Sequence, residues 1–217
     1  MNRSLAQLFL LASLGSACVP VASFDYSPYR AHMPRSIVVL PPLNEATDVN
    51  APYVYLSSIT RPLAESGYYV FPVAVVDAYM KENGLPTPGE MHGVSLAKLR
   101  EVLGADAVLY VTIEDWGQKY RILTSDAVVK ARATLVDTVS GATLWSGVAF
   151  AQQSSASGQS DLIGMLIGSL LTQVLASVTD PTRDLARTAS SAMVANHESG
   201  LLLGPYHPGA AADVRGR

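Results

Sequence analysis

From residue 36 to residue 113 short apolar runs alternate with segments of helical period, and after residue 129 the period becomes two. Ser36-Ile37-Val38-Val39-Leu40 is a β-branched run closed by Pro41-Pro42, the pattern of a strand buried on both faces. A helical segment follows from about Asn50 to Ser66, with Asn50 at the N-cap and Pro52 in the first turn, where a missing amide is tolerated. Pro62 removes an amide donor and crowds the turn before it, so a kink or a break into two helices is expected near residue 61. Gly67 closes that element. Tyr69-Val70-Phe71-Pro72-Val73 then reads as a strand, and Pro72 assigns it to an edge or a strand end.

Asp77 to Asn83 reads as a short helix stopped by Gly84, followed by a loop rich in proline and glycine through Pro86, Pro88 and Gly89. The next helix is capped by Ser95, carries Leu96, Leu99 and Leu103 on one side, and ends at Gly104, which can adopt the left-handed conformation. Asp106 to Ile113 is again a largely apolar strand. Strand and helix alternating in this way predict right-handed crossovers and a partly parallel sheet. From Val129 the apolar residues Ala131, Ala133 and Leu135 alternate with Lys130, Arg132 and Thr134, the mark of a half-exposed strand. Asp137 to Gly141 supplies a turn and Thr143 to Phe150 returns, which makes an antiparallel hairpin. A polar link over residues 154–160 leads to a helix from Asp161 to about Val178, and Asp180-Pro181 opens another. The expected fold is therefore a three-layer α/β domain with a mixed sheet, parallel in its βαβαβ first half and antiparallel in its second, and with two C-terminal helices.

The ends of the chain have a different character. Arg3, the apolar run Leu5–Leu14 and the small residues Gly15, Ser16 and Ala17 follow the order of an export signal. A helical membrane span needs about 20 apolar residues, so a run of this length predicts processing. Cys18, the single cysteine, stands directly after the small residues, and a thiol with no partner fits thioether lipidation better than disulfide chemistry. The pattern resembles a bacterial lipobox, with Gly15 where leucine is usual and Leu14 one place earlier. Two or more acyl chains, at about 0.8 kcal/mol per buried methylene, suffice for a stable anchor. Val19, in place of the aspartate that retains such lipoproteins at the inner membrane, implies the outer membrane. The expected organisation is a signal peptide over 1–17, a lipidated tether over 18–35 containing Pro20, Pro28 and Pro34, a periplasmic domain over 36–203, and a disordered tail over 204–217.

Composition adds exclusions. Hydrophobic residues make up 49% of the chain and charged ones 15%, which requires a folded core. Processing would remove Arg3 and no acid, leaving 14 basic against 18 acidic side chains, interspersed, so no phosphate-neutralising stripe is present and no nucleic-acid partner is expected. His32, His92, His197 and His207 are scattered without the spacing of metal ligands, and no metal or cofactor is expected. Neither a Gly-x-Ser-x-Gly elbow nor a glycine-rich phosphate loop occurs, so no catalytic residue is assigned. Glu114-Asp115-Trp116 closes the central strand, where α/β sheets often place ligands, and these three are the candidate partner or ligand contacts. Adjacent strand residues point to opposite faces, so Glu114 and Asp115 are not expected to act as an acid/base pair. The apolar face Ile163, Leu166, Ile167, Leu170, Val174 and Val178 suits packing on the sheet, with self-association or partner binding, and then membrane insertion, as the alternatives.

Val39-Leu40-Pro41-Pro42-Leu43-Asn44-Glu45-Ala46-Thr47-Asp48, Arg61-Pro62-Leu63-Ala64-Glu65, Gly67-Tyr68-Tyr69-Val70-Phe71-Pro72-Val73 and Leu203-Gly204-Pro205-Tyr206-His207-Pro208 resemble the bacterial lipoprotein family typified by a meningococcal surface antigen. The opening strand with its Pro-Pro and the hairpin Val136-Asp137 through Gly141 to Leu144-Trp145 are more distantly similar to the TolB N-terminal and curli-secretion lipoprotein fold. That likeness implies scaffolding at the outer membrane, without the long apolar hairpins of a secretion pore. The expectation is a non-enzymatic outer-membrane lipoprotein that binds or scaffolds other envelope proteins or itself. The competing class is an exported hydrolase or small-ligand binder built from Glu114, Asp115, His92 and Ser154.

Overall fold

The computed structural model describes residues 24–120, 125–154 and 181–216. Cys18 and the expected helix over 161–178 lie outside the described residues. The chain begins with helix α1 (Ser27–His32), then strand β1 (Ser36–Val39), the two-residue β2 (Leu43–Asn44), and helix α2 (Ala51–Glu65). Strand β3 (Tyr69–Val70) and helices α3 (Val73–Glu82), α4 (Pro88–His92) and α5 (Leu96–Leu103) follow. Three long strands come next, β4 (Ala107–Tyr120), β5 (Ser125–Asp137) and β6 (Thr143–Ser154), and helices α6 (Pro181–Val194) and α7 (Ala210–Gly216) close the described chain.

The sheet order is β3-β1-β4-β5-β6, with β2 also pairing β4. β1 is parallel to β3 and β4, whereas β4, β5 and β6 are antiparallel, so the sheet is mixed and three layers form as expected. Alternation along the strands sends Ile37, Val39, Leu109, Val111 and Ile113 into the larger core, beneath α1, α2 and α6. Val38, Leu40 and Val108 go the other way, into a smaller core under α3, α4 and α5. β1 is thus buried on both faces, and β3 lies at an edge, where Pro72 costs no ladder bond.

Several elements differ from the sequence-based expectation, each for a local reason. α2 runs through Pro62 without a break: the Ser66 amide still donates to the Pro62 carbonyl at 3.0 Å, and Tyr55, Ile59 and Leu63 bury the helix face around it. Packing offsets a proline cost of about 3 kcal/mol. The strand expected over 69–73 stops at Val70 because Pro72 turns the chain and accepts from the Val75 and Val76 amides, so the β-branched run that follows is helical. In the expected loop, Thr87 and Glu90 form a reciprocal capping box that starts α4, a Thr-x-x-Glu signal present in the sequence.

The expected tether and tail also differ. Tyr29 of α1 is fully buried and Tyr26 nearly so, and α7 packs back through Ala210, so residues 24–35 and 204–216 are parts of the domain. Tyr26 donates to the Gly200 carbonyl, and Tyr68 donates to the Leu202 carbonyl while accepting from Tyr29. Burial pushes the Tyr29 hydroxyl up to about 12, against the lowering effect of its bond to Tyr68. Arg30 donates to the Val214 carbonyl. Aromatic residues at one end therefore satisfy carbonyls at the other.

The joint is closed by two glycines. The Gly204 amide donates to the Ser66 carbonyl at 2.8 Å, and the Tyr206 amide to the Gly67 carbonyl at 3.2 Å. A Cβ on Gly204 would lie 2.4 Å from the Gly67 carbonyl oxygen, and one on Gly67, whose φ is +86°, would lie 2.4 Å from the His207 nitrogen. Backbone meets backbone, so neither side can yield cheaply. Gly67→Ala and Gly204→Ala are each expected to lower stability by about 1–3 kcal/mol, through backbone strain and the forced separation of the joint. Gly89→Ala, at a position with open space, should stay within about 0.5 kcal/mol. Thermal unfolding followed by circular dichroism measures all three, and equal midpoints across the set would refute the close-approach account.

Candidate functional site

β4 bends at its middle. The β4–β5 register shifts between Ile113 and Asp115, so Glu114 sits in a bulge and the alternation resets. Trp116 turns inward and is buried in the larger core, while Glu114 stands on the opposite, outer face of the sheet. Asp115 pairs with Lys119 of its own strand. The expected triplet therefore does not form one contact patch.

Glu114 is the centre of a small charged cluster. Arg132 donates to its Oε1 through Nε at 2.9 Å and again through its terminal nitrogen, and Lys130 Nζ lies 2.9 Å from its Oε2. The Lys130 ammonium and Arg132 guanidinium hold the Glu114 carboxyl below the ordinary carboxylate range, with burial opposing them weakly. His92, at the end of α4, stacks edge-on against Tyr110 and makes a 2.9 Å bond from Nε2 to the Pro41 carbonyl. Burial lowers its pKa, and that carbonyl opposes the shift. Ser154 ends β6. The competing reading asked for three of Glu114, Asp115, His92 and Ser154 to converge in a deep pocket, and the contacts of the first three lead to separate neighbours. Among the described residues no group of three or more His, Cys, Asp or Glu side chains could hold a metal ion, and no helix is long and apolar enough to cross a membrane.

What the fold does assemble is a surface. Helices α3, α4 and α5 pack on β1 and the first half of β4, with Arg100 of α5 reaching Thr138 in the β5–β6 turn, so the outer face of β5 and β6, carrying Lys130, Arg132, Thr134, Ser146, Val148 and Phe150, has no helix over it among the described residues. A groove of about 590 Å³ follows β6, between Ser146, Val148 and Phe150 on one side and Ala192, Met193 and Asn196 on the other. Gly147 keeps it open: a Cβ there would lie 2.5 Å from the Trp145 ring and 2.9 Å from Met193 Cγ. The sequence reading identified β6 as a strand but not as the sheet edge, because strand order is set by tertiary packing. Its one readable sign was a strand without charge.

A family model described as "Putative lipoprotein GNA1162-like" matches residues 24–206. The chain belongs to this family. A relative described as "Putative lipoprotein NMB1124/NMB1162", from Neisseria meningitidis serogroup B, is 42% identical over 183 residues, covering 84% of this chain and 85% of the relative. The crystal structure of lipoprotein GNA1162 from Neisseria meningitidis is similar at 47% identity and a TM-score of 0.56, over 62% of this chain and 93% of that one. A weaker likeness of fold is to the PelC dodecamer from Paraburkholderia phytofirmans, at 16% identity and a TM-score of 0.42, over 79% of this chain and 90% of that one. The GNA1162-like match takes in α1, in keeping with its burial. The segments around Gly67 and Gly204 that carry the family resemblance form the backbone joint described above, a structural role.

The Glu114 cluster yields a pH test. A carboxylate whose folded pKa is depressed contributes stability that is full above its unfolded pKa of about 4.3 and is lost as the pH falls through the folded value. Because both cations are largely exposed, the contribution is at most about 1 kcal/mol. Glu114→Gln should therefore be slightly less stable than wild type at pH 7, with the gap closing as the pH drops below about 4. Urea unfolding at both pH values checks this, and a gap that widens in acid would contradict it.

Proposed function

We propose that this GNA1162-like chain is an outer-membrane lipoprotein, acylated at Cys18, whose domain faces the periplasm and binds or scaffolds other envelope proteins in a secretion or surface-assembly system. The observation that carries this reading is the outer face of β5 and β6, which no described helix covers, beside the groove along β6 that joins Val148 and Phe150 to the Glu114 cluster. Such a surface, part apolar and rimmed by ion pairs, suits another protein better than a small substrate.

The anchor fits the same reading. With α1 folded into the domain, residues 19–23 alone separate Cys18 from described structure, a reach of at most about 20 Å over the six steps from Cys18 to Phe24. A lipid at Cys18 would hold the domain against the membrane surface, and the binding face would be presented at short range.

Metabolic labelling with palmitate tests the anchor: wild type is expected to take up label and Cys18→Ala to take up none, and equal labelling would remove the lipidation reading. In-cell crosslinking followed by affinity capture tests the scaffold. The expected result is recovery of at least one further envelope protein, and recovery of this chain alone would overturn it.

A further inference from the structure

The two edges of the sheet are protected very differently. β3 at one edge has 2 residues and is followed by Pro72. β6 at the other has 12 residues, Thr143–Ser154, with no Asp, Glu, Lys, Arg or Pro among them. Natural sheets blunt exposed edges with short strands, charges, prolines or a covering element, because a free row of amides and carbonyls templates another strand. No described strand pairs with the outer edge of β6. Val148, near its midpoint, is 50% exposed, and the groove of about 590 Å³ runs along this side.

We propose that β6 pairs antiparallel with β6 of a second copy of this chain, about a two-fold axis at Val148, joining the two sheets edge to edge. This rests on the reading of the domain as protein-binding and assigns the edge of β6 to a second copy, leaving the outer face of β5 and β6 to other envelope proteins. An axis at Val148 uses the strand in one register, with Thr143 opposite the partner's Gln153 and Ser146 opposite the partner's Phe150. On the outer face Val148 meets the partner's Val148, a β-branched pair of the kind that stabilises antiparallel strands. On the inner face Gly147, where a Cβ would lie 2.5 Å from the Trp145 ring, meets the partner's Ala149. Because β6 is uncharged, no like charges oppose each other across the seam. The nearest cations, Lys130 and Arg132, are on β5, three strand spacings from the partner's equivalents. That is roughly 14 Å at about 4.8 Å per strand, beyond a Debye length of about 8 Å at physiological ionic strength, and Glu114 pairs both cations. A charge-free strand is thus compatible with itself from Thr143 to Gln153.

Directly opposed residues of an antiparallel pair have Cα atoms about 4.5–5.5 Å apart, inside the range of about 4.4–6.8 Å that a disulfide spans. Full-length Val148→Cys, oxidised in membranes, should give a reducible homodimer, whereas Val139→Cys, 70% exposed in the β5–β6 turn, should not. In sedimentation equilibrium of detergent-solubilised protein, wild type should run at twice the monomer mass. Val148→Lys, which opposes two ammonium groups at the axis, should run at the monomer mass with an unchanged circular-dichroism spectrum and an unfolding midpoint that no longer depends on protein concentration. Three results would each overturn the proposal. Crosslinking of Val148→Cys to a different protein would leave the scaffolding reading standing and remove the second copy. A monomeric wild type with Val148→Cys shielded from maleimide would mean that the chain covers its own edge. A dimer that persists in Val148→Lys would put the interface elsewhere. The scaffolding reading fails separately, if captured material contains this chain alone.

Discussion

The structure depends on β4 belonging to two kinds of sheet at once. On one side it lies parallel to β1 and β2, and on the other antiparallel to β5. Parallel neighbours require crossover helices, which cover faces, whereas antiparallel neighbours are joined by turns, which cover nothing. The first half of β4 is accordingly buried on both sides: Leu109, Val111 and Ile113 serve the larger core and Val108 the smaller. Past Ile113 the helices on the outer face end, the strand bulges, and Glu114 emerges into its pair of cations. The boundary between buried and open sheet thus falls where the connection type changes. Asp115 and Trp116 follow from the same bulge, one paired within the strand and the other returned to the core.

The second organising contact is between the ends of the domain. Tyr26, Tyr29 and Tyr68 are buried phenols, and a buried hydroxyl without a partner costs about 1–3 kcal/mol. Each hydroxyl instead meets a carbonyl of residues 200–202 or another phenol that does. Residues 200–204 are thereby fixed, and Gly204 settles onto Gly67 with no room for a side chain. The segment following a lipidated cysteine would thus be locked to the last part of the fold, and a pull on the anchor would load the tyrosine cluster and the core directly.

How much of this was legible in the sequence depended on whether the deciding force was local. Ser95 and Gly104 bound α5 as read, since a cap and a left-handed glycine act within one turn. The alternation Val129, Ala131, Ala133, Leu135 against Lys130, Arg132, Thr134 located the two faces of β5 correctly. Pro62 and the Val73–Val76 run misled because propensity yielded to burial in the first case and to a turn at Pro72 in the second. α1 was illegible because Tyr26 and Tyr29 are held by residues more than 170 and about 40 positions away. Of the candidate site, Glu114 was found but its role was not: the bulge that aims it at Lys130 and Arg132 arises from pairing with β5, which no window of sequence displays.

The same distinction explains why the surface matters more than any residue on it. A strand is read from alternation, but an edge is a property of the whole sheet, and among the described strands β6 is one because β5 intervenes between it and β4. Once there, its composition has a cost. An uncharged edge of this length lacks the gatekeepers that keep soluble sheets apart, and its amides and carbonyls gain from pairing with another strand. The opposite edge shows that this fold can end a sheet safely, with two residues and a proline. Gly147, which lines the groove, leaves no room for a side chain between Trp145 and Met193. An edge left long, uncharged and grooved has the physical form of a docking strand, and a lipid at Cys18 would confine two such edges to one membrane plane, where their encounter needs far less affinity than in solution.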